Sequence, residues 1–298
     1  MSCNKTYMLV GLGEILWDVL PEGKKLGGAP ANFAYHAQTL GGRGVVVSCI
    51  GDDNLGREIT ERLENLGLER SYIAVDKEHP TGTVTVELDE KGAPNFTIHE
   101  DVAWDFIPTT PQLLQLASVV DAVCFGSLCQ RSYVSRRTVR DFLQATKPDC
   151  LRICDINIRQ SFYNKVIVDD MLRLSNICKL NNNELPVVAK VLDLAGSETD
   201  VLSMLTERYS LKLVVLTKGE KGSRLYSADN NSEHEGFAPE HIADTVGAGD
   251  AFTAAVALGL ILGKDLDEIN QHANRVASFV CSQSGATPKI PDSFVVIN

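Results

Sequence analysis

The chain has 298 residues, 44% of them hydrophobic and 22% charged, with a formal net charge of −11. Such a composition belongs to a soluble globular protein large enough for a sizeable core, in one or two domains. It excludes nucleic acid as the main partner, because no basic block offsets the negative charge. It also excludes a membrane span, since the longest strongly apolar run, residues 251–262, falls well short of the ~20 needed.

The segment before the first strand carries one lysine and no long apolar run, so no signal peptide is expected and the chain reads as cytoplasmic. Strand-like runs follow at Met8–Leu12, 45–50, 122–125, Leu151–Asp155, 176–180 and Leu213–Thr217. Several are unbroken Val, Ile, Leu and Cys, as in strands covered on both faces. Amphipathic stretches lie between or after them, at 54–66, 111–118, 137–146, 184–194 and 199–208. This alternation predicts an α/β fold with a mainly parallel central sheet flanked by helices. One region breaks the rhythm. Residues 81–99 alternate in polarity about a polar Asp-Glu-Lys-Gly turn at 89–92, which predicts a β-hairpin projecting from the sheet. Such an element serves as a lid, as a homodimer contact, or simply as an edge. No repeat or linker divides the chain, so residues 1–298 form one domain with lid elements around 14–26 and 81–105.

Cysteine chemistry adds nothing to this. The eight cysteines include no Cys-x-x-Cys pair, and five of them sit inside apolar segments, so a zinc or disulfide role is not expected. The six histidines are scattered and read as structural or surface residues.

The motifs carry more. Gly13-Glu-Ile-Leu-Trp-Asp18 places two carboxylates after the first strand, where open α/β sheets bind ligands. They read either as acceptors for sugar hydroxyls or as a solvated acidic loop. Gly27-Gly28-Ala-Pro-Ala-Asn32 permits close backbone approach and sets the Asn32 amide early in a helix, though a plain glycine turn explains it too. In Asp155-Ile-Asn-Ile-Arg159, a continuing strand puts the three polar side chains on one side. Arg159 then meets a phosphoryl group or pairs with Asp155. Lys179-Leu-Asn181-Asn-Asn-Glu184 offers a capping box from Asn181 to Glu184, or a carboxylate that holds Mg²⁺ through water. Thr217-Lys-Gly219-Glu-Lys-Gly222 is a tight connection between strands, or a flat seat for a nucleotide. Asn274, in a helical stretch, borders a base or decorates a surface.

The most informative run is Asp244-Thr-Val-Gly-Ala-Gly-Asp250, which opens an apolar helix. Its small residues leave backbone N–H groups bare at a helix N-terminus, which makes an anion seat. A carboxylate in that same turn suits phosphoryl transfer to a hydroxyl: Asp250 takes the proton while the amides absorb charge. An ordinary first-turn acid is the competing explanation. Other signatures are absent: there is no P-loop, no Gly-x-Ser-x-Gly elbow, and Leu16 stands where the dinucleotide fingerprint needs its third glycine.

Taken together and in this order, these segments resemble the PfkB (ribokinase-like) family of sugar kinases. The resemblance spans almost the whole chain and rests most firmly on residues 27–32 and 244–250. It implies a ribokinase-like fold and an ATP- and Mg²⁺-dependent kinase acting on a small-molecule sugar. Asp250 would be the catalytic base, and the amides of Gly247, Ala248 and Gly249 the anion hole. The sugar contacts would be Asp18, Gly28 and Asn32. Those to ATP would be Asn181, Thr217, Gly219, Gly222 and Asn274. Glu184 would handle magnesium, and Arg159 anionic groups. Gly13–Asp18, the Gly-Gly-Ala-Pro-Ala-Asn run and Gly126-Ser-Leu-Cys-Gln-Arg131 look most like bacterial fructokinases, which adds Gln130 to the sugar pocket. Relatives often hold K⁺ through the equivalents of Asp244 and the Val246 carbonyl. Lys289 stands near where some use a small polar ligand, which leaves potassium open. The expected activity is phosphorylation of the fructose 6-hydroxyl, with ribose or 2-keto-3-deoxygluconate as alternative acceptors. A sugar- or nucleotide-binding regulator without turnover is the reading from another class.

Overall fold

A computed structural model describes residues 6–20, 23–88, 94–239 and 241–296. Strand β1 (Met8–Leu12) opens the central sheet, and the chain then leaves it through β2 (Leu16–Leu20) and β3 (Gly23–Gly27). Helix α1 (Ala29–Thr39) carries it back to β4 (Arg43–Gly51), α2 (Asn54–Asn65) and β5 (Ile73–Asp76). A second excursion, β6 (Thr83–Leu88) and β7 (Pro94–Ile98), precedes α3 (Pro111–Ala117). Next come β8 (Ala122–Gly126), α4 (Tyr133–Ala145), β9 (Leu151–Asp155), α5 (Lys165–Leu174) and β10 (Ile177–Asn181). The final third runs α6 (Glu184–Val191), α7 (Glu198–Tyr209), β11 (Leu213–Thr217), β12 (Ser223–Tyr226) and β13 (Asn231–His234). It ends with α8 (Ala248–Ile261) and α9 (Leu266–Cys281).

The main sheet has the order β13-β12-β11-β10-β9-β8-β1-β4-β5. From β5 to β11 every pairing is parallel, while β12 and β13 join antiparallel at one edge. Helices cover both faces, so alternate residues of one strand enter different cores. Leu9 packs with α1, α8 and α9, whereas Val10 and Leu12 pack with α3 and α4 on the other side. Burial on both faces is why these strands read as unbroken apolar runs. Helix α8 is buried along residues 251–259, and its alanines let it lie close to α1 and α9. None of the described helices is long and apolar enough to cross a membrane.

The projecting element is larger than a hairpin. Four strands form a second sheet in the order β3-β2-β6-β7, with β2 antiparallel to β3 and parallel to β6. The hairpin turn at 89–92 lies outside the described residues, though β6 and β7 pair antiparallel as expected. The segment after β1, read as sugar-hydroxyl acceptors or an acidic loop and counted within the lid element at 14–26, enters this second sheet as a strand at Leu16. Residues 103–106, which we placed in the lid, pack instead into the main core, where Trp104 is fully buried.

Other boundaries move for identifiable reasons. Helix α4 starts at Tyr133 rather than 137, because its first turn carries Tyr133 and Val134 exposed and so breaks the apolar periodicity. Helix α5 went unread, although Asn164 caps it by accepting from the Ile167 amide at 3.0 Å. Strand β13 is a polar edge strand with no alternation to reveal it.

Candidate active site

The order β5-β4-β1-β8-β9 makes the β1–β8 boundary a topological switch point, where successive connections diverge to opposite sides. A cavity of about 420 Å³ opens at this level. Its floor comes from strand ends and the loops after them: Glu14 after β1, Asn157 and Arg159 after β9, Lys179 and Asn181 of β10. Its roof is the lid, through Leu16, Asp18, Val84 and Ile98. Gln160, beyond β9, ties the two together by donating from Nε2 to the Phe96 carbonyl at 2.6 Å. A second cavity of about 330 Å³ is lined by Gly219, Gly222, Phe237, Ile242, Ala277 and Asn274 among others. Asn181, Thr217, Thr245 and Gly249 line both, so the two chambers adjoin across the start of α8.

Two glycines shape this junction. Gly247 adopts φ 82 just before α8, and a Cβ there would lie 2.4 Å from the Ala286 carbonyl oxygen. Gly28, at φ 112, would bring a Cβ to 2.4 Å from the Glu14 carbonyl oxygen. Neither position accepts a side chain without moving backbone. The Ala248 amide reaches the Thr245 carbonyl only at 3.4 Å, and among the described residues the Gly247 and Gly249 amides have no acceptor. Bare donors at the N-terminus of a fourteen-residue helix are an anion seat. Gly247→Ala is therefore expected to displace this turn and lower kcat by ~10²-fold, the scale of an ångström of misplacement. Steady-state kinetics beside a thermal melt separate that loss from unfolding.

Asp250 points into the first cavity, one turn from those amides, and accepts from Asn32 Nδ2 at 2.9 Å. Burial, reinforced by the nearby Asp155 carboxylate, pushes its pKa up from 3.8 to about 7, against the pull of Asn32, Lys179 and Arg159. Asp18 is likewise raised by burial, with Arg159 and Lys25 opposing. Lys179 is buried and paired with Asp155 at 2.9 Å. Burial works against its charge, yet Asp155, Glu184 and Asp250 together hold the ammonium above its ordinary range. The ammonium is also close to the seat, since a Cβ on Gly249 would lie 3.2 Å from Lys179 Nζ.

Most of the residues singled out from sequence converge here. The first cavity gathers Asp18, Gly28, Asn32, Arg159, Val246, Gly247, Gly249 and Asp250, and the second Gly219, Gly222, Ala248 and Asn274, with Asn181 and Thr217 shared. Three residues lie off both surfaces. Gln130 is buried and turns inward, its Nε2 donating to the Gly126 carbonyl at 2.9 Å, so it does not line the sugar-side cavity as expected. Glu184 has both oxygens occupied, by the amides of Ile158 at 3.0 Å and Asn181 at 2.8 Å. The Asn181 side chain accepts from the Glu184 amide in return, so the reciprocal cap forms although the helix starts one residue after Asn183. Asp244 accepts from the amides of Val246 and Gly285, and Lys25 of the lid stands 3.7 Å from it.

Asp155 and Arg159 do not form the ion pair that the sequence offered as one reading. Asn157 takes φ 40, which ends the extended run and separates the two side chains; Asp155 pairs with Lys179 instead. Lys179 is a cavity-lining residue that sequence reasoning passed over. Its signal was a lysine inside the otherwise apolar run Ile177–Asn181, a place where an unpaired charge does not survive.

The comparisons agree with the architecture. The model of the "pfkB family carbohydrate kinase" matches residues 21–293. The fructokinase of Salmonella typhimurium is 31% identical over 84% of this chain and 83% of its own. An uncharacterized sugar kinase of Pyrococcus horikoshii is 30% identical over 95% and 93%. The ATP-bound fructokinase structure from Xylella fastidiosa superposes with a TM-score of 0.84 over 97% and 95%, at 19% identity, a likeness of fold. The fold is thus ribokinase-like. The chain belongs to the pfkB family of carbohydrate kinases and is a phosphotransferase acting on a sugar.

Proposed function

We propose that the enzyme transfers the γ-phosphoryl group of ATP to the 6-hydroxyl of fructose. The observation that carries this reading is the convergence of Asp250 with the unpartnered Gly247 and Gly249 amides where two cavities adjoin. The sugar occupies the lidded chamber, held by Asp18, Asn32 and the Gly28 backbone. The nucleotide lies in the other, its base against Phe237, Ile242 and Ala277 and its phosphates toward Asn181, Thr217 and Gly249. Asp250 removes the hydroxyl proton as the oxygen attacks phosphorus, and the amides with Arg159 receive the developing charge. Leu16, Val84 and Ile98 exclude water, which limits wasteful ATP hydrolysis.

The charge of the sugar chamber favours a neutral acceptor. Glu14, Asp18 and Asp250 face it, and of its two cations Lys179 is already paired with Asp155. A sugar acid such as 2-keto-3-deoxygluconate meets three acidic side chains there and only Arg159 as a cation without an acidic partner, whereas a neutral polyol brings no charge to repel. The likeness to the Salmonella fructokinase supports fructose over ribose. A coupled ADP-release assay on fructose, ribose and 2-keto-3-deoxygluconate tests the order, with fructose expected to give the highest kcat/KM. A preference for the sugar acid overturns it.

Magnesium would travel with the nucleotide phosphates. No group of three or more His, Cys, Asp or Glu among the described residues could cage a metal, and each Glu184 oxygen already accepts from a backbone amide. Its part is to fix Asn181 and Ile158 beneath the phosphates. A potassium ion accompanies fructose and ADP in the Vibrio cholerae fructokinase structure. Here the Lys25 ammonium already neighbours Asp244, whose oxygens both accept from amides. Equal rates with K⁺ and with tetramethylammonium are therefore expected in the same assay.

A further inference from the structure

We propose that Glu14 is a further substrate-binding residue, its unpartnered Oε2 donating a hydrogen bond to an uncharged oxygen of the acceptor sugar. The inference rests on the sugar-kinase reading and deepens it. Three observations carry it.

The first is rigidity. The turn after β1 is pinned because the Gly13 amide donates to the Val47 carbonyl at 3.0 Å and Ser48 Oγ donates to the Gly13 carbonyl at 2.6 Å. Gly28 runs so close that a Cβ on it would lie 2.4 Å from the Glu14 carbonyl oxygen. The second is placement. Glu14 is 2% exposed, yet it lines the sugar-side cavity together with Asp18, Asn32 and Asp250. The third is the orphaned atom: Oε2 is buried and has no hydrogen-bond partner among the described residues. A buried polar atom without a partner costs ~1–3 kcal/mol, and more when charged. A fold that retains one beside its ligand cavity has reserved it for a ligand.

The surroundings decide which protonation state meets that ligand. Asp250 from α8, Asp155 from β9, Arg159 from the following loop and Cys129 after β8 all face Glu14 electrostatically. Burial is the largest influence and raises its pKa from 4.5 to about 7, with Arg159 opposing and Asp250 and Asp155 adding to the rise. Below that value Glu14 is a neutral carboxylic acid with an O–H to give, a device suited to gripping a substrate oxygen. Above it, a carboxylate stands beside Asp18 and Asp250 with no donor of its own. Glu14 and Asp250 then shape opposite limbs of the pH profile, since the base must lose its proton while the anchor must keep one. Being coupled, the two acids titrate as a pair.

The test uses the full chain with D-fructose and ATP from about pH 6 to about pH 9. In the wild type, the fructose KM is expected to climb roughly tenfold per pH unit once Glu14 is ionised, with the ATP KM nearly flat. Glu14→Gln keeps a permanent N–H donor, so its alkaline rise should vanish. Glu14→Ala loses the donor and should raise the fructose KM on the order of tenfold or more at acid pH, leaving the ATP KM within about twofold. An alkaline rise that persists in E14Q, or an E14A fructose KM equal to wild type, overturns the proposal. The wild-type series needs no variant: a fructose KM independent of pH is equally fatal, even should both substitutions unfold. Turnover of fructose by the wild type with unaltered E14Q and E14A kinetics sinks Glu14 alone. A wild type inactive on every sugar sinks the kinase reading, and calorimetric sugar binding across the same pH range then judges Glu14. No binding of any sugar overturns both.

Discussion

Replacing Asp250 by Asn is expected to lower kcat by ~10²–10⁴-fold, the usual worth of a positioned general base. Fructose affinity should change little, because Asn32 can bond an amide oxygen at the place where it now donates to the carboxylate at 2.9 Å. The wild-type kcat should rise with pH and level off near the value of about 7 to which burial and Asp155 drive Asp250. Loss of that acid limb in Asp250→Asn would identify its source. Stability moves the other way. An acid raised from 3.8 unfolded to about 7 folded holds its proton more tightly in the native state throughout that interval. Stability is therefore lost as pH climbs between those values, and the penalty is complete above about 7. The Asn variant escapes it, so it should melt higher than wild type at alkaline pH and show no such gain below about 4. Near-normal turnover by a well-folded Asp250→Asn protein would remove the assignment.

The two halves of that expectation differ in how readable they were. Asp250 and its glycines were legible because the run from Asp244 to Asp250 encodes local backbone: φ 82 at Gly247 and a helix starting at Ala248 follow from residue type alone. The parallel sheet was legible for a similar reason, since continuous apolar strands alternating with amphipathic helices leave few other solutions. The lid was half legible. Strands β6 and β7 announce themselves by alternation, but β2 and β3 are short, and β2 is held by pairing with the distant β6 as well as with β3. What the motifs could not convey is which way a side chain turns once the elements assemble. Gln130 sits in a short 3-10 turn whose geometry brings its amide back to the Gly126 carbonyl. The burial of Glu14 depends on β4, Gly28 and α8, elements far apart in the chain. Asp155 and Lys179 are twenty-four positions apart and meet only because β9 and β10 are neighbours in register, with Lys179 opposite Asp155.

That last pair supports the second large effect. Lys179→Met should lower stability by ~3–5 kcal/mol, the cost of leaving one member of a buried ion pair uncompensated. The side chains of Lys179 and Asp155 are only 9% and 5% exposed, so water cannot take the place of the lost partner. Asp155 would be stranded beside Asp250 and Glu184, and one of these acids would have to bind a proton. Urea denaturation of Lys179→Met, Asp155→Asn and the double variant reads the coupling directly. The double variant should recover much of the stability, because two neutral groups of similar size no longer leave a charge unpaired. Its activity should stay low all the same. The ammonium approaches Gly249 closely and faces the chamber where charge develops, and methionine supplies no cation there. Recovery of stability and turnover together would reduce Lys179 to a structural counter-ion. Recovery of stability alone marks it as part of the phosphoryl-transfer machinery.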